Sequence, residues 1–294
     1  MELPVFEAAA RRWGNRLVKG LRLLRCLRLA PRPGGLSVVM LVAYDWKLGI
    51  ESLRRFYAIA DEIVVGLDAE RISFSGEPFP FNAAAFRRAL KKADPEGKVR
   101  VVEGDFHSQG DPSKNETHER NVLSRACRAG HWVLQIDADE WMVNPQEFRR
   151  WLGGLRVERE IMARWHTVYK VCGRQALVVD SDREWICVGG GRRGGHWQRR
   201  ETGSWRVRSP LRLLHFSFAL TEAELRRKLG NWAHAREIDL EATVGRWRSA
   251  TVANHGSFRD FHHLERGLWP RLKAVPLDGL EAWAGVDVAA RGGR

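Results

Sequence analysis

Residues 132–142 read Trp-Val-Leu-Gln-Ile-Asp-Ala-Asp-Glu-Trp-Met, an apolar stretch running straight into paired carboxylates. Trp132–Ile136 has the composition of a strand buried on both faces, and such strands belong to parallel sheets covered by helices. Side chains alternate along a strand, so Asp137 and Asp139, two apart, are expected to face the same way. Two carboxylates so placed suit a hard divalent cation, Mn²⁺ or Mg²⁺, that leaves coordination sites open for a diphosphate.

The chain before this element repeats the same unit. Ser37–Ala43 is a nearly unbroken apolar strand, and 47–60 carries Leu48, Leu53, Phe56, Tyr57 and Ala60 at helical spacing. Glu62–Leu67 is a second strand. Asn82 caps a helix bearing Ala85, Phe86, Ala89 and Leu90, which Asp94-Pro95-Glu96-Gly97 stops. Lys98–Glu103 is a third strand, and a helix over 115–129 ends at Gly130. The alternation predicts an α/β fold with a mostly parallel sheet and helices on both faces. Each strand leads to an acid: Asp45, Asp68, Asp105, then Asp137 with Asp139. In a parallel sheet these points share the carboxyl edge, where ligands of open α/β sheets bind. The first turn, Ala43-Tyr44-Asp45-Trp46-Lys47, has no glycine cradle, and the chain has no P-loop signature. Both absences argue against a Rossmann dehydrogenase and a P-loop NTPase.

Charge narrows the class further. The 294 residues carry a formal net charge of +13, concentrated in two segments. Residues 1–35 hold eight Arg and Lys against Glu2 and Glu7, and residues 192–212 hold seven Arg against Glu201. The remainder is nearly neutral, which argues against a general nucleic-acid-coating role. Residues 10–30 read as an imperfect basic amphipathic helix, a shape that suits an anionic membrane surface or a loosely packed leader. Pro31 and Pro33-Gly34-Gly35 close it off. Four cysteines without metal-finger spacing, and no signal-peptide or bilayer-spanning pattern, lead to the expectation of a cytoplasmic protein with reduced thiols, peripheral at the inner face of the membrane if the leader docks there.

Residues 36–150 resemble the GT-A-fold glycosyltransferases, most closely the family 2-like group. The likeness rests on Glu119-Arg120-Asn121 opening a helix, Ala126, Gly130, the strand, and Asp137-Ala138-Asp139-Glu140, with Asp61-Glu62-Ile63-Val64-Val65 leading to Asp68. It implies a GT-A (Rossmann-like) domain over 36–218, between the basic leader of 1–35 and a helical C-terminal extension of 219–294. It implies a nucleotide-diphospho-sugar donor, UDP-sugar foremost, and a glycan, lipid-linked saccharide or small-molecule acceptor. Tyr44, Asp45, Asp68, Arg120 and Asp137 would face the nucleotide, and Asp137, Asp139 and His215 the Mn²⁺ or Mg²⁺. The chain departs from the family at Tyr44-Asp45, where Asn-Glu is usual, and at Ala69-Glu70-Arg71 after Asp68.

His215 ends the apolar strand Leu211–Phe216, and Thr221-Glu222-Ala223-Glu224 forms a capping box for the next helix, which carries Lys228. Lys228 and His234 stand as supporting positions. Arg192, Arg193, Arg199, Arg200, Arg206, Arg208 and Arg212 follow Gly189-Gly190-Gly191, either as a basic loop closing on a diphosphate or as a solvated run. An inverting transfer needs a base; Asp180, Asp182, Glu184 and Glu201 are available, with Asp182 and Glu184 put forward. Trp165, Trp185, Trp197 and Trp205 offer stacking faces for sugar rings or packing. The contrasting expectation is a non-catalytic basic module docking on anionic membrane or nucleic acid, which leaves the strand-end acids as coincidence.

Overall fold

The computed structural model describes residues 33–285, apart from 192, 233 and 236. The helix expected over 10–30 lies outside the described residues. From residue 35 the anticipated alternation forms: β1 (Gly35–Leu41), α1 (Trp46–Phe56), β2 (Glu62–Asp68), α2 (Ala83–Ala93), β3 (Val99–Gly104), α3 (Pro112–Ala126) and β4 (His131–Gln135). Local chemistry starts the helices where they begin. The Asn82 carboxamide accepts from Ala85 N at 2.9 Å, and Asp111 accepts from Lys114 N at 3.1 Å just before Pro112 in the first turn.

These four strands lie parallel in the order β3-β2-β1-β4. The β1 side chains Leu36, Val38 and Met40 pack with Leu53 and Phe56 of α1, Phe86 and Leu90 of α2, and Phe148 and Leu152. On the opposite face Val39, Val64 and Val133 pack with Leu123 and Phe106. The helices therefore change face between β1 and β4, leaving a crevice at the carboxyl ends of those two strands. Gly66 lets α3 come close: a Cβ there would stand 2.4 Å from a Leu123 methyl.

Beyond β4 the sheet departs from the expectation of a mostly parallel one. β5 (Glu140–Met142), α4 (Pro145–Gly154), β6 (Glu160–Cys172), β7 (Gln175–Val179), β8 (Trp185–Gly190) and β9 (Arg206–His215) follow, then α5 (Glu222–Asn231), α6 (Leu240–Ser249), β10 (Leu272–Pro276) and α7 (Leu280–Gly285). The result is one ten-stranded mixed sheet, β10-β7-β6-β8-β4-β1-β2-β3, with β9 against β6 and β5 against β9. Four pairings are parallel and five antiparallel. Connection length explains the change. A parallel crossover takes about a dozen residues or more, whereas Gly173-Arg174 alone joins β6 to β7 and forces a hairpin. The glycine run expected to lead a loop instead ends β8, where Gly189, at φ 109°, brings its backbone so near Val133 O that a Cβ would clash.

The segment after residue 219 supplies three helices and the edge strand β10. Leu225, Leu229, Val244, Trp247, Phe261 and Trp269 pack around Tyr169 and Phe218 to close the crevice from the far side. Among the described residues no helix is long and apolar enough to cross a membrane. Cys127, Cys172 and Cys187 are free thiols.

Candidate functional site

A cavity of about 700 Å³ opens where the carboxyl ends of β1, β2 and β4 meet the C-terminal segment. Tyr44, Asp45, Asp68, Arg120, Asp137, Asp139, Glu184, His215 and Lys228 all reach it. Asp182 does not; it is exposed on the turn before β8, which removes it as a base for chemistry in this cavity.

The Asp137-Ala138-Asp139 element lies past the end of β4, in a turn closed by Glu140 N donating to Asp137 O at 3.0 Å. Turn geometry, not strand alternation, sets the two carboxylates on the cavity while Ala138 enters the core. Their surroundings differ sharply. Asp137 sits between two guanidiniums, Arg120 at 3.1 Å and Arg200 at 2.6 Å. Burial works against its charge, yet Arg120 and Arg200 hold it well below the usual carboxylate range. Asp139 faces the other way, toward His215 Nε2 at 3.5 Å and the Lys228 ammonium, both on Oδ2. Burial opposes its ionisation too, and Lys228 with His215 outweighs it.

His215 reaches this place through strand register. β5 and β9 run antiparallel with Glu140 opposite His215, so the histidine ends up beside an element more than seventy residues earlier. Its ring stacks on Trp165 with centroids 4.2 Å apart and planes 16° apart. Burial pushes its pKa down to about 4, which keeps the imidazole neutral at physiological pH, the form in which it ligates metals. Asp139 and His215 thus form a carboxylate–imidazole donor pair that fits Mn²⁺. Asp137 fits a cation poorly, since both its oxygens already face guanidiniums.

Glu140 lies beneath the pair with no exposed surface. It accepts from Asp137 N and from the Trp165 indole, each at 2.9 Å, and meets Arg200 at 3.0 Å. Arg200 is 3% exposed and joins Glu140 to Asp137. Arg120 is held in turn by Glu116, one helical turn earlier, at 2.8 Å and by Gln135 at 3.3 Å. Gln135 contacts His196, whose pKa burial pushes down to about 4.

The seven-arginine run divides by position. Arg199 and Arg200 reach the cavity, Arg199 against Glu116 at 3.3 Å. Arg206 pairs with Glu160 at 3.1 Å, Arg212 lies 3.8 Å from Glu147, and Arg208 covers the Trp185 ring at 4.7 Å. Arg192 lies outside the described residues. A single loop closing all its arginines on one diphosphate is therefore not what forms.

Asp68 faces the cavity with its acceptors engaged. Oδ1 takes the N–H groups of Glu70 and Ile72, and Oδ2 takes Phe106 N and His107 Nδ1, at 2.9–3.0 Å. Asp105 caps the following turn through His107 and Ser108. Asp68, Asp105 and His107 come near enough together to share a metal ion. Donating a hydrogen bond to Asp68 raises the His107 pKa, however, and a retained proton disfavours ligation. Asp45 starts α1, its carboxylate accepting from Ala43 N at 3.1 Å, and burial with Asp139 nearby pushes it up to about 6. Burial also raises the neighbouring Tyr44 phenol.

Of the two bases put forward, Glu184 is the one that lines the cavity, with Glu201 at its edge. Glu184 is buried on the cavity wall; Oε1 accepts from Thr167 Oγ1 at 2.7 Å and the Trp269 indole at 2.9 Å. Burial pushes its pKa up to about 7, against those hydrogen bonds. Glu116, Gln135, His196 and Trp165 were not singled out for these contacts from sequence. Only the Glu116–Arg120 spacing of four residues carried a readable signal.

Glu119, on α3 beside Arg120, is 1% exposed and has no hydrogen-bond donor among the described residues. Burial, with Asp137 and Glu116 nearby, pushes its pKa up to about 8 despite Arg120. Between about pH 4.5 and 8 the unfolded chain has lost this proton while the folded chain keeps it, so stability falls as pH rises through that window. Glu119→Gln is expected to remove this slope. Urea unfolding should find the variant more stable by roughly 2–4 kcal/mol above about pH 8 and equal to the wild type near pH 4.5.

No protein-family model matches this chain, and no curated protein matches it.

Proposed function

We propose that the protein is a glycosyltransferase of GT-A type that moves a sugar from a nucleotide-diphospho-sugar, with UDP-sugar the expected donor, to a hydroxyl acceptor. The observation that carries this is the Asp139–His215 donor pair at a β1/β4 switch crevice, in a cavity also lined by the buried Glu184 carboxylate. Crevices of this topology bind nucleotides at the strand carboxyl ends.

Asp139 and His215 would hold Mn²⁺ or Mg²⁺, which when bound neutralises the diphosphate leaving group. Lys228 lies against the same Asp139 oxygen and supplies a further positive charge that can turn to a phosphate. Arg199, which also lines the cavity, offers a guanidinium to phosphate oxygens. Arg120 and Arg200 fix Asp137 so that its carboxylate edge presents an acceptor to ribose hydroxyls or bound water. Trp165 holds the His215 ring in place by stacking. Glu184 takes the acceptor hydroxyl's proton, and its raised pKa makes it an effective base near neutrality.

Thermal melting with UDP, GDP and dTDP, each with and without Mn²⁺, tests this. A nucleotide present at about 100 times its Kd should raise the melting temperature by roughly 5–10 °C, and only with the metal. Stabilisation by DNA with no nucleotide effect would refute it. Glu184→Gln should lower kcat by about 10²–10⁴-fold, leave the nucleotide-induced shift intact, and abolish the rise in rate through about pH 7.

A further inference from the structure

We infer that the loop spanning 193–208 is a docking surface for an anionic lipid bilayer, anchored by Trp197 and Trp205. Their side chains are 62% and 72% exposed, while the next most exposed large apolar side chain described, Val171, reaches 43%. Tryptophan ordinarily buries its large area, so two on one short loop stand apart from the scattered exposure of normal surfaces. Among the described residues neither indole N–H finds an acceptor. Indoles favour the headgroup level of a membrane, where the ring meets acyl chains and the N–H meets polar oxygens.

The loop presents these rings on a fixed backbone. Trp197 N donates to Glu201 O at 3.0 Å and Glu201 N to Gln198 O at 2.8 Å, closing a tight turn. His196 is clamped by Asn121, which both donates to its carbonyl and accepts from its N–H at 2.9 Å. Arg199 N bonds Thr117 Oγ1 at 3.0 Å, and Trp205 O accepts from Glu160 N at 2.9 Å. Trp197 lies over Gly203, where a Cβ would stand 3.7 Å from its Nε1. Anchoring at both ends means that little conformational entropy remains to be lost on docking.

Charge selects the occupant. Arg193 on this loop and Arg206 and Arg208 at the start of β9 are exposed, and Arg193 reaches the carbonyl of Arg125, itself exposed. Glu201 is the loop's single acid and is paired with Arg206. Exposed indoles interleaved with guanidiniums match a surface that is apolar beneath an anionic layer, and each basic residue near such a surface adds attraction. Gln198, Arg199, Arg200 and Glu201, between the two tryptophans, line the cavity. Docking would therefore bring the cavity mouth to headgroup level, within reach of an acceptor carried in the bilayer. The docking itself is independent of the catalytic proposal.

Vesicle co-sedimentation of the full chain tests it, with phosphatidylcholine alone and with about one third phosphatidylglycerol. The expected result is binding to the anionic vesicles only, weakened about tenfold or more in the doubly substituted Trp197→Ser, Trp205→Ser variant. The basic residues before 33 are the same in both proteins, so the difference reports the loop. Melting within about 1–2 °C of the wild type shows that the variant is folded. A second variant, Arg193→Glu with Arg208→Glu, should lose the preference for anionic vesicles. Undiminished binding by the tryptophan variant, equal binding to both vesicle types, or a tryptophan-dependent affinity for DNA or soluble oligosaccharide in place of vesicles would overturn the inference.

Discussion

Arg200→Leu is expected to lower the melting temperature by about 10 °C, the largest loss of any single change at the site. Arg200 is almost fully buried and, among the described residues, is the one cation that meets both Asp137 and Glu140, at 2.6 and 3.0 Å. Leucine fills much of the same volume but leaves Glu140, with no exposed surface, without its cation. Breaking a buried pair in this way costs about 3–5 kcal/mol, because the stranded carboxyl must take up a proton or stay charged in a poor solvent. Glu140 then keeps only the Trp165 indole and Asp137 N as donors. A second substitution separates this cause from lost packing. Glu140→Gln in the Arg200→Leu background should recover a large part of the loss, since the amide needs no counter-charge. Arg200→Lys should lose less than Arg200→Leu, since a single guanidinium nitrogen, Nη2, meets both carboxylates and an ammonium can stand in its place. A melting temperature within about 1 °C of wild type for Arg200→Leu would show that the network is not a support of the fold.

Asp139→Asn carries the second large effect, and it falls on binding. The amide keeps the shape but loses the charged oxygen shared by His215 and Lys228. Under the proposed function Mn²⁺ affinity should fall by about 100-fold or more, and the metal-dependent nucleotide shift should disappear. The binding effect comes with a loss of stability, because the pair is largely buried and removing the Asp139 charge leaves Lys228 without its counter-ion. Lys228→Met distinguishes competition at that oxygen from general electrostatics. Removing the ammonium frees Asp139 Oδ2, so calorimetry with Mn²⁺ and no nucleotide should find tighter binding than in the wild type. Weaker binding would mean that the lysine supports the metal site. Unchanged nucleotide shifts in Asp139→Asn would remove Asp139 from the proposed site.

Much of the first half of the fold was legible because its signals are local. Asn82 starts its helix through a bond to Ala85, three positions on, whereas α3 starts at Pro112 behind Asp111, three residues before the expected 115; in the second half the Thr221–Glu224 capping box forms as its spacing predicts. Continuous apolar strands at β1, β2 and β4 could settle only in a sheet covered on both faces. Asp45, Asp68, Asp137 and Asp139 do line one cavity, while Asp105, expected on the same edge, is exposed and caps its own turn outside it. The roles within that cavity were harder to read. Asp68 and Asp137 look alike in sequence, but one is saturated by backbone donors and a histidine, the other by two arginines. Asp182 and Glu184, two residues apart, fall outside the cavity and inside it, because the turn before β8 exposes one and buries the other against Thr167 and Trp269.

Sequence alone determined the α/β alternation, the shared edge of most strand-end acids and the helix caps at Asn82 and Thr221, since each depends on periodicity or on contacts within a few residues. The tertiary structure decided the antiparallel half of the sheet, which follows from which strands short turns can join. It decided that His215 stands beside Asp139, through a β5–β9 register that no local pattern encodes. It also divided the arginine run between a buried clamp and an exposed face, because a guanidinium's role depends on which distant carboxylates the fold brings within about 3 Å of it.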